Sequence, residues 1–252
     1  MLLACDIGNS SVKLAIYDKD KRIAFGLYPK KDFSCSTDIL SLTTKSNLRF
    51  DQFDAVYISS VVPQITESLK EYVINTLKIE PTIIGNDSKL SITIDEQFKE
   101  DIGQDILVMS SYAYSKYRDE VLVISIGTAT VFSYVNEKGV LKGCAIAPGF
   151  KTFYTSLSEK STLLPSFTPE YQTNYLATNT IDAMSIGSFN GYIGMVNNIK
   201  ENIIKQNGST PKVIVCGGHS EKVKEYISNI DYQEADFVLS GLDYLYLSKW
   251  ID

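Results

Sequence analysis

A short stretch of this chain occurs twice. Asp6-Ile7-Gly8 stands between two apolar runs, and Ser125-Ile126-Gly127 repeats the arrangement at an offset of 119 residues. The windows DIGNSSVKLAIYDKD and SIGTATVFSYVNEKG share Ile, Gly, Val and Lys at 7/126, 8/127, 12/131 and 19/138. Each reads as strand, glycine turn, strand, polar turn, strand: residues 2–5, 12–17 and 23–28 in the first copy, and 121–124, 131–135 and 140–145 in the second. Apolar spacing from Ile65 through Leu69, Tyr72, Val73 and Leu77 predicts an amphipathic helix between strands at 56–59 and 82–84. That is a β-α-β unit, which calls for a parallel and mostly buried sheet. The second copy continues with a long helix from Thr180, a strand at 212–215 ending in Gly217-Gly218, and a final helix after Gly241.

A repeated unit of this kind has a physical meaning. Two sheet domains related by a pseudo-twofold axis turn their first β-turns toward one another across a cleft, and glycine lets backbone N–H groups approach a phosphate with no Cβ in the way. The expectation is α/β, with duplicated domains at 1–118 and 119–252 and a nucleotide triphosphate in the cleft between them. One glycine turn is a weak motif, so the argument rests on the repetition.

Composition narrows the function classes. Twenty-four Lys and Arg against 30 Asp and Glu leave a net charge of -6, with no basic cluster for a phosphate backbone, so nucleic acid is not expected as a partner. The apolar runs are far shorter than a bilayer span, and Met1 leads straight into a strand, so the expectation is a cytoplasmic chain with no membrane partner. Cys5, Cys35, Cys144 and Cys216 are scattered without a paired spacing, which argues against a disulfide or zinc framework. His219, the single histidine, has no companion at ligand spacing and reads as a surface or capping residue.

The duplicated pattern resembles the actin-like (ribonuclease H-like) ATPase and sugar-kinase architecture. Further blocks sharpen the likeness: SSVVP from Ser59, IGQD from Ile102, GTAT from Gly127, IAPGF from Ile146, STLLP from Ser161, TNTIDAMSIG from Thr178, CGG at Cys216 and LSGL at Leu239. Their order and spacing resemble type III pantothenate kinases over essentially the whole chain. The resemblance implies a homodimer that uses ATP with Mg²⁺ to phosphorylate pantothenate, the first committed step of coenzyme A synthesis.

The resemblance also implies roles. Asp6 corresponds to the aspartate that positions Mg²⁺ on the ATP phosphates, with Ile7, Gly8, Asn9, Ser10, Ser11, Val12 and Lys13 around the first phosphate loop. Gly127, Thr128 and Thr130 form the second loop through backbone and hydroxyl donors. Asp105 is the general base, with Gly103, Gln104, Ile106 and Thr180 toward pantothenate. Three positions depart from the family. Ile106 stands where an arginine holds the substrate carboxylate, and isoleucine cannot replace a bidentate cation; another basic residue, such as Lys99 or Lys142, could supply that charge. Glu96 takes the place of an aromatic residue, with Phe98 nearby. Ser125 replaces an aspartate that binds K⁺ or NH₄⁺, so that dependence is expected to weaken. The departures leave two other readings: a non-catalytic paralogue serving as a regulator, and an actin-like kinase for another small substrate.

Overall fold

In a computed structural model that describes residues 1–98 and 102–249, the chain divides into two compact units. The first holds Met1–Lys116 together with the C-terminal segment from Phe237, and the second holds Tyr117–Asp236.

In the first unit β1 (Leu2–Ile7), β2 (Ser11–Asp18) and β3 (Lys21–Pro29) form an antiparallel meander, followed by α1 (Cys35–Lys45), β4 (Ala55–Ser60), α2 (Pro63–Leu77), β5 (Thr82–Ile83), β6 (Thr93–Ile94) and α3 (Gln104–Tyr117). The sheet order is β3-β2-β1-β4-β5, with β4 parallel to β1 and to β5. Period-2 alternation sends β1 to both faces. Leu3, Cys5 and Ile7 pack with Ile39 and Leu42 of α1 and Leu69 and Val73 of α2. Leu2 and Ala4 pack with Val108 of α3 and with Leu239, Leu242 and Leu245 of α8 (Phe237–Ser248). Burial on both faces is why the central strands read as unbroken apolar runs. Pro63 opens α2 at a position where its missing N–H costs nothing, and Lys78 ends the helix with φ 59°.

Here the structure departs from the division at residue 118. The C-terminal helix, expected to complete the second domain, lies on the sheet of the first. It also starts four residues before Gly241, at Phe237. Gly241 sits inside the helix because a Cβ there would come 2.6 Å from a Val108 methyl and 3.2 Å from the Val108 carbonyl oxygen. Glycine is what lets α8 lie this close to α3.

The second unit repeats the plan with β7 (Val121–Ile126), β8 (Ala129–Val135) and β9 (Val140–Pro148), then α4 (Phe150–Lys160), α5 (Thr180–Ser185), α6 (Gly191–Asn207), β10 (Lys212–Cys216), α7 (Ser220–Val223) and β11 (Tyr232–Glu234). Its strands run in the order β9-β8-β7-β10-β11, matching the first unit strand for strand. Both meanders carry an irregularity late in the second strand, at Ile16/Tyr17 and at Tyr134/Val135. The helix expected to run unbroken from Thr180 is interrupted by a π-helical turn at Ile186–Asn190. There the buried Asn190 amide donates to the Gln172 carbonyl at 2.6 Å and accepts from the Gln172 N–H at 3.2 Å. Among the described residues no helix is long and apolar enough to cross a membrane.

Candidate active site

In the first unit the chemistry gathers at the C-terminal edge of β1 and β4. Asp6 is paired across the antiparallel ladder with Lys13 and alongside the parallel ladder with Ser59. Alternation therefore puts all three side chains on the face that carries Leu2 and Ala4. Lys13 Nζ is 3.9 Å from Asp6 Oδ2, and both side chains are largely buried. The Ser59 hydroxyl is fully buried with no hydrogen-bond partner. The turn beyond closes when the Gly8 N–H donates to the Ser11 carbonyl at 2.9 Å. Asn9 and Ser10 are exposed. Ile7 and Val12 are core residues at 1% and 0% exposure, so they can serve the loop only through backbone.

A Cβ on Gly8 would meet only the Ser11 carbonyl oxygen, at 3.4 Å, and one on Gly127 only the Ala129 oxygen, at 3.7 Å. Neither turn needs glycine for its own packing. The space each leaves open suits close backbone approach by a ligand.

Asp105 lies in the first turn of α3, one turn before Val108, which packs against the same sheet face as Leu2 and Ala4. The helix end is fastened to that edge by Gln104, whose side-chain Oε1 accepts the Ser60 N–H at 2.8 Å. Asp105 Oδ1 accepts the Ile106 N–H at 2.9 Å. Burial pushes the carboxyl above the usual carboxylate range, and the backbone hydrogen bonds partly offset this. A Cβ on Gly103 would lie 2.6 Å from that same Oδ1, so glycine at 103 leaves the carboxylate its place. Ile106 is buried at 5% exposure and packs as core. Glu96, exposed, and Phe98, half-buried, share one 3₁₀ turn, Glu96–Phe98. Lys99 lies outside the described residues, and Lys142 is an exposed residue of β9.

In the second unit the loop is Gly127-Thr128, closed by the Gly127 N–H donating to the Ala129 carbonyl at 2.9 Å. It is braced from behind. The Thr128 carbonyl accepts from the Gly149 N–H at 3.0 Å and from the Thr152 hydroxyl at 2.9 Å, and the Ile126 carbonyl accepts from the His219 N–H at 3.0 Å. A Cβ on Gly149 would fall 2.1 Å from the Gly127 carbonyl oxygen, and one on Gly217, whose φ is 94°, 2.5 Å from the Ile126 oxygen. Those two glycines stand in the IAPGF and CGG blocks, yet sequence reasoning gave them no site role. Their function depends on a contact that no local pattern reveals.

Thr130 corrects an expectation. Its side chain is fully buried, and its hydroxyl bonds to the Pro148 carbonyl at 3.1 Å and to the Tyr192 hydroxyl at 2.7 Å. It ties β8 to β9 and α6 and is no side-chain donor to a phosphate. Ser125 is the penultimate residue of β7, beside Val131 and Cys216. Among the described residues no group of three or more His, Cys, Asp or Glu could hold a metal ion. Thr180, exposed, is the first residue of α5, whose N-cap Asn179 accepts the Asp182 N–H at 2.9 Å.

Residues 2–202 match the model of the type III pantothenate kinase family. This chain belongs to that family. The type III pantothenate kinase of Geobacter sulfurreducens is 32% identical over 98% of both chains, and that of Listeria monocytogenes serotype 4b is 29% identical over 98% of this chain and 96% of its own. Among solved structures, a candidate 2-dehydro-3-deoxygalactonokinase of Sinorhizobium meliloti superposes with a TM-score of 0.63 at 13% identity, covering 99% and 97% of the two chains. The ADPNP-bound activator of 2-hydroxyisocaproyl-CoA dehydratase from Clostridium difficile gives 0.53 at 11% identity, covering 99% and 94%. Those likenesses bear on the fold, that of the two-domain actin-like kinases. This chain carries isoleucine at position 106 and serine at position 125.

Proposed function

We propose that the chain transfers the γ-phosphoryl group of ATP to the primary hydroxyl of pantothenate, with Asp105 receiving the hydroxyl proton. The observation that carries this reading is the carboxylate at the start of α3, fastened by Gln104 to the strand edge that bears Asp6. Phosphoryl transfer asks mainly for positioning and charge stabilisation. A buried carboxyl with a raised pKa, held by backbone N–H groups, is suited to orient a hydroxyl and take its proton. Asp6 would hold the Mg²⁺ that accompanies the ATP phosphates. A single carboxylate fits an ion that keeps most of its waters, and the orphaned Ser59 hydroxyl beside it offers a further oxygen. When bound, the ion neutralises charge on the phosphates. The N–H groups of the Gly8 turn, with Lys13, serve the phosphate oxygens.

Ile106, packed in the core, gives the pantothenate carboxylate no cation of its own. A missing charge-assisted contact is worth about 1.5–3 kcal/mol, which weakens substrate affinity by roughly ten- to a hundredfold without removing the chemistry. The same feature favours a second reading, a kinase for a small hydroxylated substrate without a carboxylate. Homodimerisation finds support in the second unit, where Leu163, Tyr175 and Leu176 are 90%, 72% and 93% exposed along one segment. We place the enzyme in the cytoplasm.

The test is coupled ADP release with pantothenate, with a panel of sugars and with no acceptor. The pantothenate reading expects release only with pantothenate. Release with a sugar and none with pantothenate would replace it with the second reading.

A further inference from the structure

We infer that Gln104 is a positioning residue that extends the β4 ladder past the end of β5 and so sets where the start of α3 presents Asp105. The inference rests on the proposed role of Asp105.

The argument starts from the hydrogen-bonding directions of β4. In a parallel strand successive residues offer their backbone groups to opposite neighbours. The Val61 N–H donates to the Ile7 carbonyl at 3.0 Å, so residue 61 faces β1. The Ile58 carbonyl accepts the Ile84 N–H at 2.9 Å, so residues 58 and 60 face β5. But β5 spans only Thr82–Ile83. The Ser60 N–H is therefore the next donor on that side with no strand opposite it, and Ser60 is 8% exposed. A buried N–H without a partner is costly, and the chain answers with the Gln104 amide oxygen at 2.8 Å.

The donor residue is itself anchored to a stiff support. The Ser60 hydroxyl accepts from the Val62 N–H at 3.1 Å and from the Thr66 hydroxyl at 2.6 Å, joining the end of β4 to the first turn of α2. Ser60 is the parallel partner of Ile7 and directly follows Ser59, the partner of Asp6. One side-chain bond thus refers the first turn of α3, and with it the carboxylate one residue along, to the strands that carry Asp6.

The test compares Gln104→Met, which keeps bulk and loses the acceptor, with Gln104→Glu, which keeps an acceptor oxygen. Steady-state rates with pantothenate and ATP should show kcat of Gln104→Met down about 10- to 100-fold with both KM values within about threefold, as expected when a reacting group is misplaced. Gln104→Glu should recover most of the wild-type kcat at the alkaline plateau of its pH profile. Its added charge should move the acid limb upward by raising the Asp105 pKa. A Gln104→Met enzyme with wild-type kcat, or one changed only in pantothenate KM, would overturn the inference. Amide hydrogen exchange on the wild-type chain asks the same question without a variant: the Ser60 amide should exchange as slowly as those paired inside β4, and rapid exchange would equally overturn it. The function reading fails separately, if wild-type enzyme releases no ADP with pantothenate or Asp105→Asn retains full kcat.

Discussion

The β1–β2 and β7–β8 hairpins begin alike and diverge by one residue. Ile7 pairs with Val12 across Gly8, Asn9, Ser10 and Ser11, whereas Ile126 pairs with Thr130 across only Gly127, Thr128 and Ala129. Past the glycine, the match of Val12 with Val131 that the sequences suggest is out of step with the ladder. Val12 is the structural counterpart of Thr130, and Lys13 that of Val131. Because side chains alternate faces, one residue decides what stands opposite the strand-end polar group. In the first hairpin Asp6 faces Lys13, and in the second Ser125 faces Val131. The bracing differs correspondingly. The residue after the third strand donates its N–H to each turn, Lys30 to Ser10 and Gly149 to Thr128. Only the shorter turn lies so close that this residue has to be glycine. A fold can be duplicated while its chemistry is divided. The first hairpin holds charge, and the second offers backbone donors on a rigid support.

The largest effect should come from the unit that holds the charge. Asp105→Asn is expected to lower kcat about 10²–10⁴-fold while making the protein more stable at neutral pH. A carboxyl with a raised folded pKa makes the folded state bind more protons than the unfolded one, so stability falls as pH rises through the unfolded pKa toward the folded one. Chemical denaturation at pH 4 and pH 7 should show the variant gaining only at the higher pH, and an equal gain at both would remove burial as the cause. For the paired carboxylate, Asp6→Asn should weaken Mg²⁺-ATP use by about 10- to 100-fold, with partial rescue at high Mg²⁺. Ser125→Ala should change it little, and equal losses at the two sites would erase the contrast between the hairpins.

Gly149→Ala tests the bracing. The added methyl must displace the Gly127 carbonyl, costing about 1–3 kcal/mol of stability, read as a lower Tm, whereas Lys30→Ala should leave Tm almost unchanged. Cation dependence sharpens the comparison further. Rates in KCl, NH₄Cl and NaCl at constant ionic strength should be similar for the wild type, and Ser125→Asp should introduce a preference for K⁺ or NH₄⁺ because charge on an oxygen ligand tunes affinity. Strong K⁺ activation of the wild type would mean that another acidic group completes a site there. The smallest effect is expected from Thr130→Val, which removes bonds to Pro148 and Tyr192 at a cost of about 1 kcal/mol. Its kcat should stay at the wild-type value, and a fall in kcat without a fall in Tm would return Thr130 to the phosphates.

Much of this was legible in the residues. The apolar runs at β1, β4, β7 and β10 and the 3.6-residue spacing of α2 are local patterns, and each became the element it predicted. Asp6 and Asp105 could be nominated because short blocks of the family surround them. Helix α1 went unread because its stripe is only Ile39, Leu42 and Thr43 among polar residues. Helix α4 went unread because a single buried residue, Phe150, marks it. Thr130 was misjudged because a hydroxyl in a turn motif looks like a phosphate donor until its buried partners are known.

By itself, the sequence determined the repeated strand–turn–strand plan, the glycines at the two turns and the residue types available for catalysis, since these depend on period and on covalent chemistry within a few residues. The tertiary structure alone decided that the last helix covers the first sheet, that the second hairpin is one residue shorter in register, and that Gln104 meets Ser60. Each depends on groups far apart in the chain competing for one hydrogen bond or one buried face, and the outcome is set by packing and by the satisfaction of buried polar groups, which local pattern does not encode.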